Sequence, residues 1–583
     1  MAYDVKITGG TIVDGDETPA YRGDIGIKDG RIVAVGDAPD AAGRVYDADG
    51  ALVTPGFVDI HTHYDGQVSW DETLAPSSRH GVTTCVMGNC GVGFAPVRPG
   101  RQQQLIDLME GVEEIPGVAL AEGMAWNWES FADYLDAIDA IPHAIDFCTQ
   151  VTHDPLRLYV MGERAAAGEP ATPEDVAEMR RLAADGLRAG AVGVSTGRTD
   201  THRTVQGDPT PARDAGLAEL TGLAGAVRDA GKGVVQVVSD FRLDDGPAPF
   251  EAEWSLIESM ADAAGAPLSL SLLQRDMAPK QWQWILDKVE RANATGRTIR
   301  AQVAARAIGT FFGFEATLNP LMTKPSYRAI MDRPLAERLA ALRDPEVKQR
   351  ILDETPRKMA GKDSTVPPLA DIVMERLDFF SLRMFRLEDE PDYEPPMERS
   401  IYYEAKHRGV SVFEALYDAM LERDGRRLIY FPVFNYARFN LDAARTMLDH
   451  PHALYGLSDG GAHVGTVCDA SFPTFILTHW VRDRHRGDRL PVETVVARQA
   501  RNNARYMGLA DRGMLKPGLK ADINVIDLDR LTLKSPHMVY DLPAGGGRLM
   551  QDVHGYRATF VSGQPILEDD TFTDARPGRL VRA

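Results

Sequence analysis

Between residues 56 and 458, short apolar runs alternate with longer helical patterns, and no other feature of the chain constrains its fold as tightly. An apolar run of four to eight residues reads as a buried strand, and a following stretch of 3.6-residue periodicity reads as a covering helix. Eight such strands lie near 56–61, 82–87, 146–151, 190–195, 233–238, 267–273, 298–304 and 453–458. Asp146-Phe147-Cys148-Thr149-Gln150-Val151 and Gly233-Val234-Val235-Gln236-Val237-Val238 are examples, with helical patterns from Pro173 to Ala189 and Leu217 to Ala230 among the connections. Strands joined through helices pair in parallel. Eight units predict an α/β fold of the (β/α)8 barrel type, in which polar residues at the C-terminal ends of strands are the site candidates.

The rhythm breaks once. Roughly 150 residues separate the seventh and eighth strands, partly helical (Pro334 to Leu352, Val412 to Glu422) and partly acidic and loop-like (Leu387 to Met397). An insertion at about 310–450 on the catalytic face of a barrel reads as a lid or substrate-binding subdomain; a structural or oligomer-forming role is the alternative. Residues 3–53 carry short strands and an Asp29-Gly30 hairpin signal, and β character returns after 505 in Ala521-Asp522-Ile523-Asn524-Val525-Ile526. Residues 1–55 and 505–583 are therefore expected to form one small split domain of β-sandwich type around a barrel at 56–504.

A net charge of −21 argues against nucleic acid or an anionic membrane as partner. No apolar run reaches the ~18–20 residues that span a bilayer, and the N-terminus has no signal-peptide pattern. Four cysteines in 583 residues make no disulfide framework, so free thiols in the cytoplasm are expected. The expected partner is a small molecule, and a homo-oligomer is compatible with the composition.

The first strand ends in Phe57-Val58-Asp59-Ile60-His61-Thr62-His63-Tyr64-Asp65. Residues i and i+2 of a strand point to one side, so His61 and His63 can aim two imidazoles at one metal ion. Two exposed histidines at a strand end are the bland alternative.

Together with the Pro-Gly entry to that strand, Leu457-Ser458-Asp459-Gly460 at the end of strand eight and Arg512-Gly513 … Lys516-Pro517-Gly518 … Ala521-Asp522-Ile523 in the closing β unit resemble the amidohydrolase superfamily of metal-dependent hydrolases. Gly81-Val82-Thr83-Thr84-Cys85-Val86-Met87-Gly88-Asn89-Cys90-Gly91-Val92 narrows the resemblance to the N-acyl-D-amino-acid deacylase branch, as do Val151-Thr152-His153-Asp154-Pro155-Leu156-Arg157 and Ala191-Val192-Gly193-Val194-Ser195-Thr196-Gly197. The resemblance covers nearly the whole chain and is weakest over 310–450. It implies Cys90 as a metal ligand beside His61 and His63. It implies Asp459 as a weak metal ligand or none and, chiefly, as general base on the attacking water and proton donor to the leaving amine. A small buried hydrophobe at Cys90 and a helix N-cap at Asp459 are the alternatives. One or two divalent ions, zinc in type, are implied.

The chain also departs from the branch. The resemblance implies a histidine at the end of strand five and another at the end of strand six, but those regions read Gln236-Val237-Val238-Ser239-Asp240 and Ser269-Leu270-Ser271-Leu272-Leu273-Gln274. The branch's lysine after strand six is replaced by Gln274, and the arginine expected soon after Asp459 is missing. New substrate-binding candidates at strand ends are Arg198 and His202 after strand four, Gln236 and Gln274 after five and six, and Gln302 and Arg306 near strand seven. Arg198 or Arg306 replaces the carboxylate grip, or forms an ordinary ion pair. Tyr64, His153 and His463 are further pocket candidates, each with a structural alternative. The implied reaction is hydrolysis of a non-peptide C–N amide bond, of an N-acyl amino acid with D configuration in view. A cyclic or other small apolar amide, or a non-catalytic barrel kept for binding or assembly, are the alternatives.

Overall fold

The computed structural model describes residues 2–583 except 242–246, 362, 363, 365 and 367. Both chain ends build one mixed sheet of nine strands. From the N-terminus come β1 (Tyr3–Ile12), β2 (Tyr21–Lys28), β3 (Arg31–Gly36), β4 (Ala42–Asp47) and β5 (Leu52–Pro55). The remaining four lie after the barrel, at Ile523–Ile526, Tyr556–Val561, Gln564–Glu568 and Thr571–Phe572. β5 joins the two ends by pairing in parallel with β1 and antiparallel with Ile523–Ile526. Alternation in β1 buries Val5 and Ile7 against Ile523, Val525 and Phe560, so neither chain end has a core without the other.

The eight barrel strands follow: β6 (Phe57–Asp59), β7 (Val82–Met87), β8 (Asp146–Thr152), β9 (Gly193–Arg198), β10 (Val234–Ser239), β11 (Leu268–Leu272) and β12 (Ile299–Val303), then, after the insertion, Ala453–Tyr455. They pair in sequence order in one eight-stranded sheet. Helices outside and side chains inside bury both faces, so β7 and β8 are buried at every residue. The sheet closes where Thr62 bridges Gly460 in parallel, with His63 N–H donating to Gly460 O at 2.7 Å and Asp459 N–H to His61 O at 3.2 Å. Each predicted strand falls on an observed one. The fourth is displaced, since Gly190 N–H caps the helix Pro173–Ala189 by donating to the carbonyls of Gly186 and Leu187 and cannot open a strand.

Between β12 and the last barrel strand, β13 (Gly309–Phe312), β14 (Phe385–Arg386) and β15 (Ile429–Pro432) form a small antiparallel sheet. With helices such as Leu335–Leu342 and Val412–Gly425 it encloses its own core of Phe312, Leu321, Leu342, Tyr417 and Met420. This insertion grips the loop after the last barrel strand: Phe311 N–H donates to Thr466 O at 2.7 Å and Thr317 N–H to Gly465 O at 3.0 Å.

A buried carboxylate locks the insertion to the barrel. Glu394 accepts from Leu441 N–H at 2.8 Å and pairs with Arg484 at 3.1 Å and His479 at 3.1 Å. Burial alone raises its pKa, but the bonds from His479 and Arg484 outweigh burial and hold the carboxyl at about 2, against an ordinary 4.5. A depressed carboxyl stabilises the fold fully above its unfolded value and loses that contribution as pH falls toward its folded value. Glu394→Gln is therefore expected to lower the melting temperature at pH 7, with the gap to the native protein closing between pH 4.5 and about 2. Calorimetry across that range checks it, and a gap independent of pH refutes the electrostatic reading.

Candidate metal centre

Closure of the barrel places four side chains from three loops around one point. His61 and His63 leave the end of β6 two residues apart, with ring centroids 5.5 Å from one another. Cys90 comes from the loop after β7. Its Sγ is 3.3 Å from His61 Nε2 and 3.8 Å from His63 Nε2. Asp459, after the last barrel strand, brings Oδ1 to 3.4 Å from His61 Nε2 and 3.8 Å from His63 Nε2. The two histidines and the cysteine are buried.

Local backbone geometry holds these groups in place. Cys90 (φ 58°) and Asp459 (φ 48°) both sit in the left-handed region, as do Leu457 and His463. Such residues cost on the order of 1–3 kcal/mol each and persist where the surroundings over-determine them. Here Cys90 N–H donates to Gln236 Oε1 at 3.0 Å and Gly91 N–H to Ser195 Oγ at 3.1 Å. Asn89 Nδ2 donates to the carbonyls of Thr62 and Val86 at 3.1 and 2.9 Å. Gly91 (φ 83°) must be glycine, since a Cβ there would lie 2.8 Å from Gly197 N.

The donor set fits a single divalent ion. A tetrahedral ion with bonds of about 2.0–2.3 Å has ligand–ligand edges of roughly 3.3–3.8 Å; the ligand atoms of His61, His63 and Cys90 all lie within 4.8 Å of one another, and Asp459 Oδ1 stands 3.4 and 3.8 Å from the two imidazoles. Burial lowers the pKa of His61, and that of His63 further, which favours the neutral imidazole that a metal ion requires. His61 Nδ1 has an acceptor, Gln302 Oε1 at 2.7 Å, and Glu113 Oε1 stands 3.1 Å from His63 Nδ1 without hydrogen-bonding geometry. An acceptor at Nδ1 keeps the proton there and leaves the Nε2 lone pair for the ion. Burial raises the Cys90 thiol well above its usual range, with Glu113 and Asp459 adding to the effect. An ion at this point reverses that balance, because a coordinated thiol is deprotonated.

The other residues singled out from sequence divide into two groups. Gln302 and Gln236 border the centre through His61 and the Cys90 backbone. His463 and His202 face it electrostatically. Glu113 and its acidic neighbours raise the His463 pKa against burial, and burial, reinforced by His463 and His61, lowers His202 to about 3. Elsewhere the polar atoms are already engaged. Tyr64 donates its hydroxyl to Ser77 Oγ at 2.7 Å. His153 bridges Thr196 and Glu219 at 2.8 and 3.0 Å. Arg198 forms a two-pronged pair with Glu253 at 2.7 and 3.0 Å. Arg306 is fully buried against Asp469 at 3.1 Å with its guanidinium 3.6 Å from the Tyr393 ring centroid. Gln274 Oε1 accepts from Ala437 N–H at 3.2 Å.

Sequence reasoning missed Glu113, the last residue of α1 (Gln102–Glu113). It is 1% exposed, and burial pushes its carboxyl up to about 8. The signal was present. Ile106, Met109 and Glu113 share one helix face at the spacing of an apolar stripe, where a carboxylate is out of place.

A barrel that closes on two imidazoles, a thiol and a carboxylate has the site architecture of a metal-dependent hydrolase. The sequence pattern of the amidohydrolase family fits residues 44–360 and 414–567, and the chain belongs to that family. Over 594 aligned residues it is 27% identical to a D-aminoacylase of Alcaligenes xylosoxydans xylosoxydans, with 99% of this chain and 97% of that one covered. An N-acyl-D-glutamate deacylase of the same organism is 29% identical over 593 residues, covering 99% and 96%. The crystal structure of an N-acyl-D-glutamate deacylase from Bordetella bronchiseptica, complexed with zinc and a phosphonate mimic of the tetrahedral intermediate, shares the fold at a TM-score of 0.64 and 23% identity over the whole of both chains.

Proposed function

We propose that the protein hydrolyses the amide bond of N-acyl amino acids, with preference for the D configuration, at a zinc centre held by His61, His63, Cys90 and Asp459. The convergence of the His61, His63 and Cys90 ligand atoms within 4.8 Å, with Asp459 Oδ1 beside both imidazoles, carries the reading. D-aminoacylase and N-acyl-D-glutamate deacylase among the full-length relatives support the substrate class, and the zinc of the deacylase structure supports the metal.

When bound, the ion acts as a Lewis acid on the amide carbonyl and lowers the pKa of water beside it. Asp459, 16% exposed where the other three are buried, is the member open to substrate. Its carboxylate takes a proton from water as the oxygen adds to the carbonyl carbon, then delivers it to the amine nitrogen as the C–N bond breaks. One water is consumed, and a carboxylic acid and an amino acid are released. The insertion grips the loop that carries His463, so we assign it to the substrate side of the site. Four free, buried thiols agree with a cytoplasmic location. Among the described residues no helix is long and apolar enough to cross a membrane.

A second reading has a specific observation behind it. Arg198 and Arg306, offered as carboxylate grips, are already paired with Glu253 and Asp469, which favours a neutral or cyclic amide. One screen separates the two: paired D and L N-acyl amino acids beside cyclic and neutral amides, with and without 1,10-phenanthroline. Turnover of D-acyl substrates that chelation abolishes and zinc restores is the expected result. Turnover confined to neutral amides assigns the second reading, and activity unaffected by chelation defeats the metal mechanism.

A further inference from the structure

Glu113 is a costly residue. It is a carboxylate at the C-terminal end of a twelve-residue helix, where the helix dipole disfavours negative charge. It is 1% exposed, neither of its oxygens has a hydrogen-bond partner, and Asp459, Asp65 and Glu114 add repulsion. An apolar residue would serve the packing of that helix face with Ile106 and Met109 better. What the carboxylate does touch is specific. Oε1 lies 3.1 Å from His63 Nδ1, and Oε2 lies 3.6 Å from His463 Nε2.

The contact with His463 belongs to a wider grip. His463 N–H donates to the carbonyl oxygen of Glu113 at 2.6 Å, and Thr466 Oγ1 donates to both carboxylate oxygens of Glu114 at 2.9 and 2.8 Å. The end of α1 thus holds the loop after the last barrel strand at several points, four residues beyond Asp459. The same carboxylate reaches back to the ring of His63, just beyond β6.

We propose that Glu113 is a positioning residue of the metal centre: one oxygen fixes the His63 ring through Nδ1 while the other, through His463, ties the Asp459 loop to the same point. The inference rests on the proposed metal centre. It assigns to Glu113 the part that Gln302 plays toward His61, with a carboxyl in place of an amide. Such partners of ligating histidines set ring orientation and ligand basicity, and their loss costs about 10–100-fold in metal affinity.

The test is a zinc competition titration of Glu113→Gln against a chromophoric chelator, together with the visible spectrum of the cobalt-substituted protein. An amide cannot accept from both imidazoles, so affinity is expected to fall about 10–100-fold and the cobalt bands to shift, while the metal-free protein melts near the native temperature. Affinity within twofold of native, with unchanged cobalt bands, overturns the proposal. A lower melting temperature alone, with affinity and spectrum intact, also overturns it, since that is what a purely structural residue produces. If Glu113→Gln does not fold, Glu113→Asp is read by the same criteria, because a shorter carboxylate withdraws from His63. Native protein that binds no zinc refutes the metal centre itself; native binding with an unaffected variant refutes only the role of Glu113.

Discussion

His63→Ala is expected to purify with no stoichiometric metal and no hydrolytic activity. Three of the four donors around the centre are strong, two imidazoles and a thiolate, and the fourth is a partly exposed carboxylate. Removing one strong donor leaves too few to satisfy a tetrahedral ion. Nor do neighbouring strands offer a replacement among the described residues: Gln236 Oε1 is held by Cys90 N–H and Gln274 Oε1 by Ala437 N–H. The substitution also leaves Glu113 buried without its imidazole, so some loss of thermal stability accompanies the loss of metal. Elemental analysis of the folded variant, verified by circular dichroism, decides the matter. A full equivalent of zinc in His63→Ala would show that the ion sits elsewhere.

Asp459→Asn should behave in the opposite way, keeping metal and losing turnover. The amide preserves the shape of the side chain and an oxygen at the position of Oδ1, so the three buried donors still hold the ion. It cannot accept the proton of water or return it to the leaving amine, and general acid–base catalysis is worth about 10²–10⁴-fold. A fall of that size in kcat is expected, with zinc content within a few tenths of native and KM little changed. Loss of metal along with activity would make Asp459 a structural ligand first. Retained kcat would remove it from the chemistry.

Much of this protein was legible from residues alone. Eight apolar runs separated by helical periodicities led to the barrel because hydrophobic period is a local property of the chain. His61 and His63 were readable as a pair because strand geometry alone puts i and i+2 on one side. The displaced fourth strand shows the limit of that reading: Ala191 and Val192 are as apolar as any strand, but the capping of the preceding helix by Gly190 consumes the entry. Arg198 and Arg306 show another. A guanidinium at a strand end is equally suited to a ligand and to an ion pair, and the partners that engaged them, Glu253 and Asp469, stand 55 and 163 residues further along the chain.

Local pattern therefore determined the alternation of strands and helices and the two-residue spacing of His61 and His63. Barrel closure decided the rest. The hydrogen bonds that seal β6 against the last barrel strand set His61 and Asp459, 398 positions apart, at 3.4 Å. That closure brings His463 back over the end of α1, and it sets Glu113, an anomaly in an apolar stripe, 3.1 Å from the ring of His63. Periodicity reports which face of an element is buried. It carries no information about which distant charge is buried against it, because that pairing is set by three-dimensional proximity across loops of unrelated length.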